Sequence, residues 1–542
     1  MIHGVPLREL LPEGSLILDC WEGSEKFRSL VPRWFRDPQA FVEQRNELAG
    51  RRYDRVTLRS ILEAQNRRFS AAPAAMANIA RLSDPRATVV IGGQQAGLFG
   101  GPLYTVHKAL TVLSLAARLE SQLGQPVIPV FWIASEDSDL AEVDRACVLD
   151  RDGRLRELRL PGDENAKLPV SQVRLGEGVS ALLGDLSAAL PESELAQEML
   201  QNLRAAYAPA RSYPAAFGAW MASLLSDKGL VLVDPADSGL KRIALPLFER
   251  EISEKSPVSR AMMEQTRLLQ RAGYPPQIEV RDGMLTLFFQ NPAREAIAVR
   301  EDGFELRASA RRFTNGDLTS LLKDSPERFS PNAALRPLFQ DSLFPTLAMV
   351  LGPSEIAYWA QLPLAYRAVG IPMPVLFPRA SLTLIEARHQ KLMEKHGLSL
   401  KDVLTRREKV LDDIVKREIP PALFEKLADR RSQAVEIWKD LIEQIEGLDP
   451  TLRRTAELAA AASRKQFDFI EKKITQAARR KDEVLRGQVE RMASALAPRG
   501  GLQERTLTAL PFLARYGGRV LDQALAAIEP FAPEHRGVVI DA

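Results

Sequence analysis

The residues from Ile91 to Lys108, reading IGGQQAGLFGGPLYTVHK, combine glycines at 92, 93, 97, 100 and 101 with a glutamine pair and a basic side chain. Glycine accepts positive φ and lets a backbone approach a ligand closely. A helix starting after such a loop turns free N–H groups and a positive dipole end toward an anion. Phosphate or carboxylate is the expected guest. On this reading Gly92, Gly93, Gly97, Gly100 and Gly101 shape a cradle, and Gln94 and Gln95 supply side-chain hydrogen bonds. Tyr104 joins the binding set at the helix start, and Lys108 adds charge. The pattern is neither a Walker loop nor a dinucleotide fingerprint, because Lys108 comes too late and the glycine spacing differs. A tight strand-to-helix connection with a solvated Lys108 suits the same residues.

A second segment, PVIPVFWIASEDSD, ends an apolar run with Glu136, Asp137 and Asp139, and Glu142 follows. In open parallel sheets ligands bind beyond the carboxyl ends of strands, so these three acids are the catalytic candidates. They suit Mg²⁺ binding, general-base catalysis or the holding of an ammonium group, and their mutual repulsion favours a shifted carboxyl. An acidic helix start capped by Ser135 or Asp137 explains them without chemistry. His107 reads as an ordinary first-turn residue. His3, His389, His396 and His535 show no ligand spacing, so no structural metal is expected.

Elements must hold these groups in place. Short apolar runs alternating with amphipathic helices from about residue 84 to 380 predict an α/β core, with strands at 88–92, 127–134, 229–234 and 373–377. Asp-Gly turns predict antiparallel hairpins within 143–173 and 276–310, and about 143–173 and 257–330 read as subdomains inserted into a core of residues 1–380. From 381 to 500 the chain turns to long charged helices. Phe424, Leu427, Arg431, Ala434, Trp438, Leu441, Ile445 and Leu448 make a coiled-coil seam. Phe467, Ile470, Ile474, Ala477 and Val484 continue a weaker one after Asp449-Pro450, predicting a helical hairpin. Residues 501–542, with a last strand at 538–540, return to the core. The basic clusters Arg406-Arg407 and Arg479-Arg480-Lys481 read as solvated faces.

Composition narrows the classes. The 542 residues carry a net charge of only +3, with 45% hydrophobic and 26% charged residues, which fits a folded globular protein and offers no support for nucleic-acid binding. Two isolated cysteines, Cys20 and Cys147, suit a reducing compartment. With no apolar run of membrane-spanning length and no leader pattern, the expectation is a cytoplasmic protein without a membrane partner.

Read together, GQQAGLFGGPLYT and FWIASEDSD resemble the cysteine ligase family of bacillithiol biosynthesis, the cysteine-adding enzymes that join cysteine to glucosaminyl malate. LVLVDPADSGLKR, RPLFQDSLFP, GPSEIAYWAQL, MPVLFPRASLTLIE, LQERTLTALPFLARYGGRVLDQAL and HRGVVID fit family blocks in family order, so the likeness spans essentially the whole chain. One position departs: Ser138 stands where the family reads histidine, which favours a carboxylate as base.

The resemblance implies a Rossmann-like, nucleotidyl-transfer-type α/β core with inserted subdomains and a C-terminal α-helical coiled-coil arm. It also implies amide formation between the cysteine carboxylate and a glucosamine amine. A carboxylate is a poor acyl donor, so ATP or ADP, with Mg²⁺, is the cofactor this chemistry offers; the sequence assigns none. The malate carboxylates call for an arginine, and Arg336 and Arg379 are the two candidates. A seam that a two-helix hairpin only partly buries predicts a homodimer through the arm. A nucleotidyl-transfer enzyme on another substrate, or a coiled-coil scaffold with an inactive core, are the competing readings.

Overall fold

The computed structural model describes residues 2–541 other than 161–167, 292, 407–408, 411–413, 415–420 and 482, and only the backbone of 291, 421, 477–481 and 483–484. It divides into two units, Met1–Ile385 with Gln503–Ala542, and Glu386–Leu502.

Five parallel strands form the heart of the first unit: β1 (Thr88–Gln94), β2 (Val127–Ile133), β3 (Val231–Val233), β4 (Thr346–Leu351) and β5 (Val375–Pro378), in the order β5-β4-β1-β2-β3. A parallel sheet covered on both faces needs continuous apolar strands rather than alternating ones, and β2 and β4 are buried at every position. Register runs from Thr88 opposite Val127 to Gln94 opposite Ile133 between β1 and β2, while Gly92 faces Val350 across β1 and β4. Helix α1 (Leu103–Leu123) makes the first crossover and stops at Gly124, which adopts the left-handed conformation that glycine tolerates. The chain proceeds from β1 outward through β2 to β3, then returns to the other side of β1 for β4 and β5. The order therefore reverses between β1 and β4, the place where open α/β sheets bind ligands.

Strand β4 was not among the expected strands. Its six-residue run, TLAMVL, lies between Pro345 and Gly352-Pro353 and reads locally as a short connection. Strand β1 also runs past the expected end at 92, through Gly93 to Gln94. The hairpins are present: Arg145–Leu149 pairs with Leu155–Arg159, and Met284–Asn291, Ala293–Arg300, Gly303–Leu306, Arg312–Phe313 and Phe329–Pro331 form a five-stranded sheet. Residues 278–280, expected as a strand, form none, and part of the 143–173 patch lies outside the described residues. At the chain's end Glu534–Ile540 pairs antiparallel with Ile2–Pro6.

The second unit holds two long helices, Pro421–Leu448 and Arg453–Lys481, joined by a turn at Pro450–Leu452. Arg453 pairs with Glu446 and Arg431 with Asp468, so contacts climb one helix as they descend the other and the hairpin is antiparallel. The seam departs from expectation at three apolar positions, one of them Leu448, which is 84% exposed. Leu441 is exposed while Ile442 is half-buried, and Ile470 is exposed while Ala456, Ala460 and Phe467 face inward. Spacings of four and three alternate differently after Trp438 than a strict heptad requires. Ala477, Val484, Arg407 and the side chains of Arg479, Arg480 and Lys481 lie outside the described residues. Among the described residues, no helix is long and apolar enough to cross a membrane.

Candidate active site

A cavity of about 590 Å³ lies at the carboxyl ends of β1, β2, β4 and β5. It collects Gly93, Gln94 and Gln95 from β1, Glu136, Asp137 and Glu142 from beyond β2, Glu355 from beyond β4 and Arg379 from beyond β5. Tyr104 and Lys108 enter from α1 and Arg336 from the helix Arg336–Leu343. Of the expected site residues, these line one space; Gly92, Gly97, Gly101 and Asp139 do not join them.

Lys108 spans the reversal point. Its ammonium donates to the Gly93 carbonyl at 2.7 Å, to Gln94 Oε1 at 2.9 Å and to Glu355 Oε2 at 2.5 Å. Three acceptors of the protein thus surround it; the side chain is buried, and burial pulls its pKa down against the opposing pull of Glu355. Glu355 in turn accepts the Gly352 N–H at 2.7 Å and closes the start of the helix Pro353–Trp359.

The glycine loop is packed into the protein. Gly92 and Gly93 sit in β1 and serve close packing, since a Cβ on Gly92 would stand 2.7 Å from Val112 Cγ2 and one on Gly93 2.8 Å from the Trp132 carbonyl. Residues 96–101 are buried. The Tyr207 hydroxyl accepts the Gly100 N–H and donates to the Gly97 carbonyl, both at 3.0 Å, and the first N–H of α1, on Leu103, goes to the Leu507 carbonyl at 2.7 Å. Gly97 and Gly101 pack against each other, with 2.8 Å from a Gly97 Cβ to Gly101 Cα. The N–H groups of Gly97, Gly100, Gly101 and Leu103 are thus used inside the protein.

The acids separate by role. Glu136 is ion-paired with buried Lys241 at 2.6 Å. Burial pushes its carboxyl up, against the pull of Lys241 and Arg294. Asp137 and Glu142 share one donor, Gln95 Nε2, which lies 2.8 Å from Asp137 Oδ2. Asp139 is exposed and caps the helix Leu140–Val143 by accepting the Glu142 N–H. Ser138 is exposed beside it. Among the described residues no three His, Cys, Asp or Glu side chains converge as metal ligands.

The two arginine candidates differ. Arg379 is held by Glu504 through Nη1 at 2.9 Å and Nη2 at 2.7 Å, and its guanidinium lies 5.7 Å from the Tyr104 ring centre. Glu504 also accepts from Ser381 and the Leu382 N–H and pairs with His107 Nδ1 at 3.0 Å. Burial alone would raise the Glu504 carboxyl, but Arg379 and His107 hold it well below the usual range. Arg336 donates to the Tyr358 hydroxyl at 2.6 Å and, among the described residues, meets no carboxylate at ion-pair distance.

Sequence reasoning missed Lys241, Arg294, Glu504 and Arg505, the last two on the helix Gln503–Thr506. Lys241, Glu504 and Arg505 stood inside quoted blocks, LVLVDPADSGLKR and LQERT, but without local spacing to mark them. Arg294 sits in a hairpin and carried no signal.

A family model described as bacillithiol biosynthesis BshC, N-terminal Rossmann-like domain, matches residues 5–380, and one described as its C-terminal coiled-coil domain matches residues 382–540. Relatives carrying the name "Putative cysteine ligase BshC" include one from Koribacter versatilis, 35% identical over 536 residues covering 98% of each chain. Another, from Salinibacter ruber, is 34% identical over 494 residues, 90% of each chain. A third, from Geobacillus kaustophilus, is 33% identical over 509 residues, 92% of this chain and 93% of the relative.

Proposed function

This chain belongs to the BshC family of bacillithiol biosynthesis, and from that premise we propose that it is a ligase that joins cysteine to glucosaminyl malate through an amide bond, the last step in making the thiol. The observation that carries the reading is the match of both family domains along nearly the whole chain. The cavity supplies chemistry of the right kind. As the C–N bond forms, one C–O bond of the cysteine carboxyl group breaks and its oxygen leaves as water or on a group that has activated it; the attacking ammonium must shed its protons, and Asp137, with Glu142 beside it on Gln95, is the carboxylate suited to take them. Glu136 is engaged by Lys241 and keeps the loop in place. Cys20 and Cys147 are buried and form no disulfide, which suits work in the reducing cytoplasm on small-molecule substrates.

The arm is proposed to form a homodimer. Ile437, Leu441, Leu458, Phe469 and Ile470 are exposed apolar residues on its two helices, and a second copy supplies a self-complementary cover under two-fold symmetry. Light scattering of the Ile437→Glu, Leu441→Glu variant should give half the mass of the unaltered protein; a monomeric unaltered protein at micromolar concentration defeats the dimer.

The ligase reading is tested by mass spectrometry of thiols in cells lacking the gene. Bacillithiol should vanish and glucosaminyl malate accumulate, with return on complementation by the unaltered gene and at most about 1% of that rate with Asp137→Asn. Persistent bacillithiol in the deletion strain would sink the assignment.

A further inference from the structure

Around the cavity, most positive groups are already satisfied. Lys108 is closed on Glu355, Arg379 on Glu504 and Lys241 on Glu136. Arg294 spends Nε on the Ser330 hydroxyl at 3.1 Å and Nη2 on the Pro331 carbonyl at 3.1 Å, and it faces Glu136 and Asp137 electrostatically. Two guanidiniums are left over. Arg336 has one neutral partner, Tyr358. Arg505 has no side-chain hydrogen bond or ion pair among the described residues, yet it lines the same cavity.

Both address one neighbourhood. Arg336 and Arg505 line the same cavity, with Tyr104 and Glu355 among its other walls. A guanidinium that forms part of a cavity wall without a carboxylate is a standing donor fork for a planar anion. The backbone that carries Arg505 is firmly set. Its helix is pinned by Glu504, which is 1% exposed and accepts from Arg379, Ser381 and the Leu382 N–H. Gln503 pins it too, donating to the Leu384 carbonyl at 2.9 Å and accepting the Leu384 N–H at 2.8 Å. Such fixing lowers the ordering cost when an anion binds.

We propose that Arg336 and Arg505 form a two-point clamp for a dicarboxylate, each guanidinium taking one carboxylate, so that the C-terminal segment completes the substrate site. The proposal rests on the ligase reading for its ligand, because the malyl group of the acceptor is the dicarboxylate in question. It also separates the two arginine candidates from the sequence: Arg336 binds, and Arg379 braces.

Isothermal calorimetry on the full chain tests the clamp, with glucosaminyl malate, L-malate, methyl glucosaminide and cysteine as probes. The unaltered protein should bind glucosaminyl malate and, less tightly, L-malate. Arg505→Ala should weaken both at least tenfold and leave cysteine within twofold. Arg505→Lys should recover part of the loss, because it restores charge without the fork. Arg505 is exposed, so that variant should fold; Arg336→Lys, less disruptive than removal, should also weaken glucosaminyl malate at least tenfold, with its melting temperature recorded alongside. Affinity of Arg505→Ala within twofold of the unaltered protein, or equal affinity for methyl glucosaminide and glucosaminyl malate, overturns the clamp. The ligase reading fails separately, by bacillithiol persisting in the deletion strain, and that result leaves the calorimetric comparison intact.

Discussion

The loops that leave β1 and β2 begin side by side and finish in opposite environments. After β1, Ala96, Leu98 and Phe99 are buried, the Tyr207 hydroxyl serves both the Gly97 carbonyl and the Gly100 N–H, and the Phe99 ring meets the Tyr207 ring edge-on at 5.1 Å. After β2, Ser138 and Asp139 are exposed, while Asp137 and Glu142 reach the cavity. Glycine density and acidic density both looked like ligand chemistry in the sequence. What separates them is who uses the polar groups. A loop whose N–H and C=O groups are consumed by the protein has nothing left for a guest.

The largest effect should come from breaking the sealed side at its anchor. Glu504 neutralises buried Arg379 and pairs with buried His107, and its segment carries the Leu507 carbonyl that caps α1. Glu504→Ala leaves a buried charge uncompensated, which costs about 3–5 kcal/mol. Urea denaturation should show that loss, and a change below about 1 kcal/mol would mean the sealed side is held elsewhere.

How far the sequence revealed this contrast depends on the range of each interaction. Strands β1 and β2 were legible because a doubly buried strand must be apolar along its length, a property of adjacent residues. Strand β4 has the same composition but lies between prolines, and only its pairing with β1 and β5 identifies it. Asp137 was legible as an acid at a strand end. That Glu136 would be taken by Lys241 was not, since their meeting depends on the fold rather than on spacing. The same distance hid the sealing of the glycine loop by Tyr207 and the arrival of Arg505 from the C-terminal segment. In the arm, local periodicity found the helices, while the choice of Ile442 over Leu441 is made by the facing helix.

A smaller effect should distinguish the sealed side by pH. His535 is buried between the Ser381 and Thr383 hydroxyls, each 2.8 Å away, and burial pulls its imidazole from 6.5 down to about 4. The unfolded chain therefore binds this proton first as pH falls. The stability that His535 contributes is complete above about pH 6.5 and is lost on the way down to about pH 4, a total of about 3 kcal/mol. Asp341, pushed up to about 6 by burial, acts with the opposite sign between its folded and unfolded values. The quantity to measure is therefore the difference between the unaltered protein and His535→Gln, by urea midpoints from pH 4.5 to 7. Parallel curves would remove His535 from the account.

The smallest effects sharpen the comparison most, because they pit one loop against the other without dismantling either. Tyr207→Phe removes the hydroxyl that bridges Gly97 and Gly100 but leaves their own bond, the Gly100 N–H to the Gly97 carbonyl at 3.1 Å, so the loss should be about 1 kcal/mol. Ligand affinity should stay within twofold, since neither glycine lines the cavity. Asp139→Ala deletes a cap from the other loop and should cost about 1 kcal/mol or less. It should leave ligand affinity nearly as it was, because the cavity side of that loop belongs to Asp137 through Gln95. Thermal melts and calorimetry with glucosaminyl malate on the same two variants decide the matter. If Tyr207→Phe loses tenfold in affinity while Asp139→Ala loses none, the glycine loop serves the guest after all, and the division between a sealed loop and an open one fails at its first member.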